Sequence, residues 1–316
     1  MNIVILDAKT LGDDIDLSGF SAHGNATVYD QTPPNEISER IKDANVVVIN
    51  KVKLNRENLS GAKALRLICV AATGYDNIDI EYCKENGIQV SNVIGYSTNS
   101  VAQVTVSTVL DLATHIREFS SYVVSGAYTD SGVANKVAPV YYELAGKTWG
   151  VVGLGNIGKA VARIAEAFGC NVIANKRTPD PEFDCVSLDE LCERSDIISI
   201  HTPLTPQTRG IIGKTELERM KPSVILYNAA RGAVTDEEAV AEAIENGVIG
   251  AFGSDVYSVE PFPKDHPMYR IKERDNVLLT PHMAWASFEA RTRCINEMIE
   301  NIRCYKNGVK RNAVTG

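Results

Sequence analysis

The chain has 316 residues, of which 44% are hydrophobic and 23% charged, and its 32 basic and 40 acidic side chains give a formal net charge of −8. This length predicts two domains, and the ordinary composition excludes a disordered, collagen-like or coiled-coil chain. The acidic balance disfavours nucleic acid or an anionic membrane as the main partner, and no apolar run approaches the roughly 20 residues of a membrane helix.

The cysteines predict a reducing environment. The chain has seven, an odd number, and they are scattered without a CxxC pair. This pattern favours neither a disulfide framework nor a zinc site. We therefore expect a cytoplasmic protein without a metal site.

In the first third of the chain, short apolar runs alternate with helical patterns. The predicted strands are NIVIL, ATVY, NVVVIN, LRLICV and GIQVSN. From Asn99 to about Ala127 apolar residues recur at helical spacing without proline, which predicts one long helix.

A second series of the same kind begins at Thr148. Its predicted strands are TWGVVGLG, NVIA, DIISIHTP, SVILYNAA, GAFGSDV and NVLLTPH, and a helix follows from about Ser287 to Tyr305. Alternation of this kind is typical of parallel βαβ units. The sequence therefore predicts the α/β class, with two doubly wound parallel sheets.

A glycine motif lies directly after TWGVV and before a helical pattern. It reads Gly153-Leu154-Gly155-Asn156-Ile157-Gly158. In this context the first glycine permits a tight turn, the second lets the backbone approach a pyrophosphate, and the third lets helix and strand pack closely. The motif predicts a dinucleotide site that includes Asn156 and Ile157.

The residues after the next strand bear on the choice between NAD and NADP. An acid at this position normally binds the ribose hydroxyls of NAD, but here the sequence is Asn175-Lys176-Arg177-Thr178. Because cations pair with phosphate, these residues favour the 2′-phosphate of NADP. The alternative is a solvated loop beside a site that accepts NAD without the acid.

Three titratable residues follow later strands. Arg231 follows SVILYNAA, Glu260 lies in DVYSVEP, and His282 lies in TPHMAW. In an open α/β sheet ligands bind outside the carboxyl ends of the strands, so we expect the three to share one crevice. A histidine beside a carboxylate, with an arginine that holds an anion, is the set that a keto-acid reductase needs.

Several stretches resemble the D-isomer-specific 2-hydroxyacid dehydrogenase family, in the family's order and over nearly the whole chain. They are ATGYDNID, NSVAQ, VVGLGNIG, HTPLTPQT, NAARGAVTDEEA, DVYSVEP and TPHMAW. NKVKL, GYSTNSVAQ and PHMAWAS resemble the glycerate dehydrogenase or hydroxypyruvate reductase branch. The resemblance implies hydride transfer between NADP or NAD and a small D-2-hydroxy acid or 2-keto acid, with hydroxypyruvate or glyoxylate as substrate.

The resemblance also assigns roles to residues. It implies that Arg231, Glu260 and His282 are catalytic. For the substrate it implies backbone contacts from Thr73 and Gly74 and closure of the pocket by Trp285, unless that side chain is simply core. Lys51, at the end of NVVVINK, would add a positive charge near the substrate, the alternative being an exposed lysine at a strand end.

For the cofactor the resemblance implies two further groups of contacts. Thr202 and Pro203 would line the adenosine side. Ala229, Asp255 and Ala284 would surround the nicotinamide with His282. His201 is predicted to be structural, and His23, His115 and His266 show no partner pattern.

The family architecture implies a Rossmann cofactor domain inserted in a flavodoxin-like substrate domain. Residues 1–98, completed by 288–316, would bind the substrate, and residues 99–287 would bind the dinucleotide. The helix after Asn99 resembles the element with which family members form twofold dimers, so a homodimer is expected. Two alternatives remain: a reductase for D-lactate or another 2-hydroxy acid, and a nucleotide-sensing corepressor built on the same fold.

Overall fold

A computed structural model describes residues 1–315 of the chain. Its strands are β1 (Asn2–Ile5), β2 (Asn25–Val28), β3 (Val46–Ile49), β4 (Leu67–Val70), β5 (Gln89–Ser91), β6 (Thr148–Val152), β7 (Asn171–Asn175), β8 (Asp184–Cys185), β9 (Ile197–Ile200), β10 (Ile225–Asn228), β11 (Ala251–Ser254) and β12 (Val277–Leu279). Its α-helices are α1 (Ile37–Ile41), α2 (Arg56–Leu59), α3 (Ile80–Glu85), α4 (Thr98–Thr114), α5 (Ile116–Val124), α6 (Ala127–Ser131), α7 (Asn156–Ala167), α8 (Leu188–Arg194), α9 (Lys214–Arg219), α10 (Glu237–Glu245), α11 (Pro267–Ile271) and α12 (Phe288–Lys306). Short 3-10 helices span Ala8–Leu11, Ser18–His23, Pro34–Glu36 and Gly232–Val234.

The first compact unit comprises Met1–Ser97 and the segment that begins at Trp285. Its sheet has the strand order β2-β1-β3-β4-β5, and all pairs are parallel. Strands β3 and β4 are buried along their whole length because both faces of the sheet are covered. Helix α12 packs against β4.

The second compact unit is Thr98–Ala284. Its sheet has the strand order β12-β11-β10-β9-β6-β7-β8, again with parallel pairs. The order reverses between β6 and β9, which is the topological switch point where doubly wound sheets bind nucleotides. The fold-class prediction of two doubly wound parallel sheets, one of them Rossmann-like, is confirmed.

The two faces of the second sheet each carry a core. Along β9 the side chains alternate in direction, so that Ile198 and Ile200 belong to one core while Ile197 packs with Trp149 and Tyr227 in the other. This alternation explains why strands in the sequence read as continuous apolar runs.

Several structural details differ from the sequence prediction. The helix predicted from Asn99 to about Ala127 was wrong in extent: α4 ends at Thr114 because His115 has a left-handed backbone (φ 54°), and separate helices α5 and α6 follow. The short strand β8 was not predicted. The predicted domain boundaries follow residues 98 and 287, whereas the compact units divide after Ser97 and Ala284.

Neither a membrane span nor a metal cluster is found in residues 1–315. No helix in that range has both the length and the apolar character to cross a bilayer. No group of three or more His, Cys, Asp or Glu side chains there is arranged to hold a metal ion.

Candidate active site

The glycine motif connects β6 to α7 at the switch point of the second sheet. Gly153 has a positive φ of 94°, and a Cβ atom built on it would lie 2.5 Å from the Thr202 nitrogen. At Gly158 a Cβ would lie 2.2 Å from the Gly153 carbonyl oxygen. Any side chain at either position would therefore push the strand, the helix or the loop after β9 out of place.

Gly155 is different, because the protein's own packing does not require it. A Cβ built there would meet nothing within 4 Å among the described residues. Gly155 is also the N-cap of α7, and it provides no side-chain cap for the amides of the first turn, which begins at Asn156 and Ile157. Open space beside an uncapped helix N-terminus fits the pyrophosphate of a dinucleotide.

The loop after β7 holds one of its two cations, Lys176, in an ion pair. The carboxylate of Asp180 lies 2.8 Å from Lys159 Nζ and 3.1 Å from Lys176 Nζ. These two ammonium groups lower the pKa of the Asp180 carboxyl to about 2. Within residues 1–315 neither Arg177 nor Thr178, both exposed, forms a side-chain hydrogen bond or ion pair. Asn175 donates to the Val186 carbonyl at 3.1 Å.

The loop after β9 begins with His201, Thr202 and Pro203. Both ring nitrogens of His201 are buried, and neither has a hydrogen-bond partner among residues 1–315. Burial lowers the pKa of this imidazole to about 3, so the ring is neutral at physiological pH. Thr202 packs against Gly153 through its backbone.

The turn after β10 presents Arg231. The buried Asn228 side chain accepts from the Ala230 amide at 2.9 Å and donates to the Arg231 carbonyl at 2.9 Å. A Cβ on Gly232 would lie 2.0 Å from the Tyr257 carbonyl carbon, so only glycine permits this turn to approach the loop after β11 so closely. The packing therefore places the Arg231 turn beside the loop that carries Glu260.

Glu260 and His282 form an ion pair at the same edge. His282 Nδ1 lies 2.6 Å from Glu260 Oε2, and the side chains are 21% and 27% exposed. The other carboxylate oxygen of Glu260 accepts from the Tyr257 amide at 3.0 Å. His282 has a left-handed backbone, with φ 54°. The ring is thus held by a carboxylate at Nδ1.

Asp255 anchors the segment around His282. Its buried carboxylate accepts from Thr280 Oγ1 at 2.6 Å and from the amides of Met283 and Ala284, each at 2.8 Å. Burial raises the pKa of the Asp255 carboxyl, although these hydrogen bonds act in the opposite direction. Two amides and a hydroxyl thereby fix the backbone on both sides of His282.

A second pair, Glu237–His266, was missed by the sequence analysis, which found no partner for His266. Its Nε2 atom lies 3.1 Å from Glu237 Oε2, and the two side chains are only 6% and 10% exposed. Glu237 begins α10 and His266 caps α11. Because they lie on different elements, no local spacing signals the pair. The only available sign was that TDEEA and DVYSVEP both follow strands at one edge.

The remaining predicted residues belong to the first unit. Lys51 follows β3, and its amide donates to the buried Asp7 carboxylate at 2.6 Å. Thr73 and Gly74 follow β4, where Thr73 Oγ1 donates to the Val93 carbonyl at 2.8 Å. Trp285 is buried, with its ring 6.1 Å from that of Tyr96. These side chains lie at or near the carboxyl ends of their sheet or, for Trp285, at the start of the returning segment.

Comparison with known proteins identifies related sequences and structures. Residues 106–284 match the model of the family described as D-isomer specific 2-hydroxyacid dehydrogenase, NAD binding domain. The chain is 35% identical to a hydroxypyruvate reductase of Blautia hydrogenotrophica, covering 99% of each chain. It is 36% identical to a glycerate dehydrogenase of Methylorubrum extorquens, covering 99% of this chain and 98% of the relative.

A solved structure shows the same similarity. The D-lactate dehydrogenase from Aquifex aeolicus, complexed with NAD and lactic acid, superposes with a TM-score of 0.88 at 28% identity, covering 100% of this chain and 99% of that one. None of these findings supports the corepressor alternative.

Proposed function

This chain belongs to the family of D-isomer specific 2-hydroxyacid dehydrogenases, and from that premise we propose that it interconverts hydroxypyruvate or glyoxylate with the corresponding 2-hydroxy acid. It is an oxidoreductase with an NAD-binding domain of the Rossmann type. The observation that supports the proposed chemistry most directly is the 2.6 Å contact between His282 Nδ1 and Glu260 Oε2 at the carboxyl edge of the second sheet.

In this proposal His282 is the general acid. Because Nδ1 faces the Glu260 carboxylate, the proton available to a substrate is the one on Nε2. Glu260 stabilises the imidazolium and orients the ring, and Asp255 fixes the backbone that carries it. The imidazolium gives its proton to the keto oxygen during reduction and recovers a proton from the hydroxyl in the reverse direction.

Arg231 binds the substrate anion and polarises its keto group. A guanidinium presents two N–H groups in one plane, which matches a carboxylate and an adjacent carbonyl oxygen. One of its nitrogens donates to the Ala230 carbonyl at 2.9 Å, which limits the rotation of the side chain.

The residues proposed for the cofactor all follow strands of the second sheet, at its carboxyl edge. Gly153, Gly155 and Gly158 shape the turn, and the amides of Asn156 and Ile157 hold the pyrophosphate. Thr202 and Pro203 line the adenosine, and Ala229, Asp255 and Ala284 surround the nicotinamide. When bound, the nicotinamide supplies or accepts the hydride.

The first unit is proposed to bind the acid. Thr73 and Gly74 offer backbone amides to its carboxylate, Lys51 adds a positive charge, and Trp285 covers the pocket. Of the two cations that follow Lys51, Lys53 and Arg56, the second is paired with Glu85 at 2.7 Å, and on this ground we propose an unphosphorylated substrate.

A panel of 2-keto acids tests the function. Hydroxypyruvate, glyoxylate, pyruvate, a branched 2-keto acid and phosphohydroxypyruvate are each assayed with NADPH and with NADH. Hydroxypyruvate or glyoxylate should give the highest kcat/KM. The highest value with pyruvate or the branched acid would favour the D-lactate type of substrate, and preference for the phosphorylated acid would refute the assignment. Absence of turnover with every acid would refute the proposed reductase activity.

For the cofactor we propose a preference for NADPH over NADH. The support is the absence of an acid directly after β7 together with Lys176, Arg177 and Thr178. A charge-assisted contact to the 2′-phosphate is worth about 1.5–3 kcal/mol, or about 10- to 100-fold in affinity. Asp180 partly neutralises Lys176, so Arg177 and Thr178 carry the larger part of the preference.

The substitution Lys176→Asp tests this preference against a matched control. It should shift the ratio of kcat/KM values toward NADH, whereas Lys214→Asp on the exposed face of α9 should leave the ratio unchanged. Added salt should weaken NADPH binding more than NADH binding. A wild-type enzyme with equal or better efficiency on NADH would contradict the proposal.

We also propose a cytoplasmic homodimer. Within the second unit, α4, α5 and α7 line a groove of about 980 Å³ that contains Ala102, Val106 and Leu110. Val124 at the end of α5 and further large apolar side chains after that helix are exposed, an arrangement that favours a partner of like surface. Light scattering should give a mass of two chains for the wild type and of one chain for Leu110→Glu. A wild-type monomer would contradict the dimer.

Free thiols at all seven cysteines agree with the proposed cytoplasmic location, because the cytoplasm is a reducing compartment.

A further inference from the structure

The buried pair Glu237–His266 forms a cluster with a third residue, Ser258, which lies in the loop that carries Glu260. The Ser258 amide donates to Glu237 Oε1 at 2.9 Å. The Ser258 hydroxyl also contacts the other oxygen of Glu237 and lies 3.3 Å from His266 Nε2. One carboxylate on α10 is thus bonded to both the backbone and the side chain of the loop.

The hydrogen bonds define the state of the His266 ring. The Met268 amide donates to His266 Nδ1 at 3.3 Å, so this nitrogen is an acceptor and Nε2 carries the proton. The Nε2–H group then donates toward Glu237, which also receives the Ser258 hydroxyl and amide. Every polar group of the cluster is therefore satisfied with a neutral imidazole and an ionised carboxylate.

The cluster does not have the arrangement of a hydrolytic triad. In such a triad serine and carboxylate face opposite nitrogens of the histidine ring. Here Ser258 and Glu237 both face Nε2, and a backbone amide occupies Nδ1. The ring is also covered by Phe262, which stacks on it at 5.3 Å with an interplanar angle of 24°.

The same loop is tied to the segment that carries the other half of the catalytic pair. The Tyr257 ring packs edge-on against Phe262 at 4.7 Å, and its hydroxyl donates to the Thr280 carbonyl at 2.9 Å. Residues 257, 258 and 262 are thereby fixed, and Glu260 lies between the fixed points. Its carboxylate meets His282 only as long as this part of the loop keeps its position.

We infer that Glu237, Ser258 and His266 are positioning residues for the reaction, because they hold the loop so that Glu260 Oε2 stays against His282 Nδ1. They touch no substrate and act through Glu260. This inference rests on the proposed function of the Glu260–His282 pair and adds a buried support for it.

The substitution Glu237→Gln tests the inference, with Glu238→Gln as the matched control. Glu238 lies next to it in the first turn of α10 but pairs with Arg270 at 2.7 Å on the exposed side. Glu237→Gln should lower kcat between about 10-fold and 100-fold, since a small displacement of a catalytic group costs this much. The KM for the keto acid and the Kd for NADPH should change little, and Glu238→Gln should keep wild-type kcat.

A double-mutant cycle separates positioning from general structural support. In a Glu260→Gln background, Glu237→Gln should lower kcat by no more than about twofold, because the residue through which it acts is already disabled. An unchanged kcat in the single variant would overturn the inference. So would an equal loss in both backgrounds.

Ser258→Ala keeps the inference testable if Glu237→Gln does not fold. It removes the hydroxyl contacts but leaves the backbone amide bonded to Glu237, so kcat should fall at least about threefold with the same dependence on Glu260. A Ser258→Ala enzyme with wild-type kcat would overturn the inference. Failure of the proposed function is distinguishable, because it would appear as a wild-type protein that reduces no 2-keto acid.

Discussion

The pairs Glu260–His282 and Glu237–His266 place the same two types of side chain, a glutamate and a histidine, in two different environments of the second unit. In the first the histidine is 21% exposed, and in the second it is 6% exposed. The exposed pair lies at the carboxyl edge of the second sheet, whereas the buried pair has contacts within the protein at both ring nitrogens of its histidine. In our proposal, placement rather than side-chain chemistry separates a histidine that exchanges a proton with a substrate from one that supports a loop.

The difference arises from the elements on which the histidines lie. His282 follows β12 at the carboxyl edge of the sheet, on a backbone with positive φ that Asp255 holds in place. His266 lies at the N-terminus of α11, where its ring caps the helix and packs under Phe262. The edge position leaves the His282 side chain partly exposed, and the capping position between two aromatic rings buries that of His266.

The largest expected effect is at the exposed pair. His282→Asn should lower kcat by about 10²–10⁴, the usual loss when a general acid is removed. The Kd for NADPH, measured by fluorescence titration, should stay within a few-fold of wild type. A variant that keeps most of its turnover would show that the proton comes from another group and would remove the functional contrast between the two pairs.

Arg231→Lys should have the next largest effect, because an ammonium cannot reproduce the planar contact of a guanidinium with a carboxylate and a keto oxygen. We expect kcat/KM for hydroxypyruvate to fall about 100-fold, with changes in both KM and kcat. Steady-state kinetics at saturating NADPH measures this. If the lysine variant is kinetically silent, Arg231 has a structural role and the exposed pair acts without it.

The smallest effect on turnover, and the largest on stability, is expected at the buried pair. His266→Asn leaves the Glu237 carboxylate without one of its donors, so the free energy of unfolding in urea should fall by about 1–3 kcal/mol. The matching change His282→Asn should alter it by no more than about 0.5 kcal/mol, because that ring is partly exposed. Equal losses of stability for the two variants would contradict the distinction between them.

The sequence by itself determined the class of the fold, and it predicted the residues that we propose for the active edge. Continuous apolar runs such as VVVI in β3 predict buried strands because parallel sheets are covered on both faces. The motif Gly153, Gly155 and Gly158 can be recognised in the sequence because each glycine has a local structural reason. Contacts leave no room for a side chain at Gly153 and Gly158, and Gly155 leaves open space at the N-terminus of α7. Motifs that follow strands are also readable, since the carboxyl ends of parallel strands share one edge.

Tertiary structure decided what depends on residues distant in the chain. The helix after Asn99 ends at Thr114 although its sequence pattern continues, because His115 turns the backbone into the left-handed region. Lys176, in the loop after β7, is paired with Asp180, which also pairs with Lys159 on α7, and the sequence of the loop does not predict this. The partner of His266 is on α10, which precedes β11 in the chain, whereas His266 follows that strand. Hydrophobic periodicity predicts which face of each segment packs against a core. It does not predict which polar side chains of separate elements form contacts, because those contacts arise only when the sheet brings the elements together.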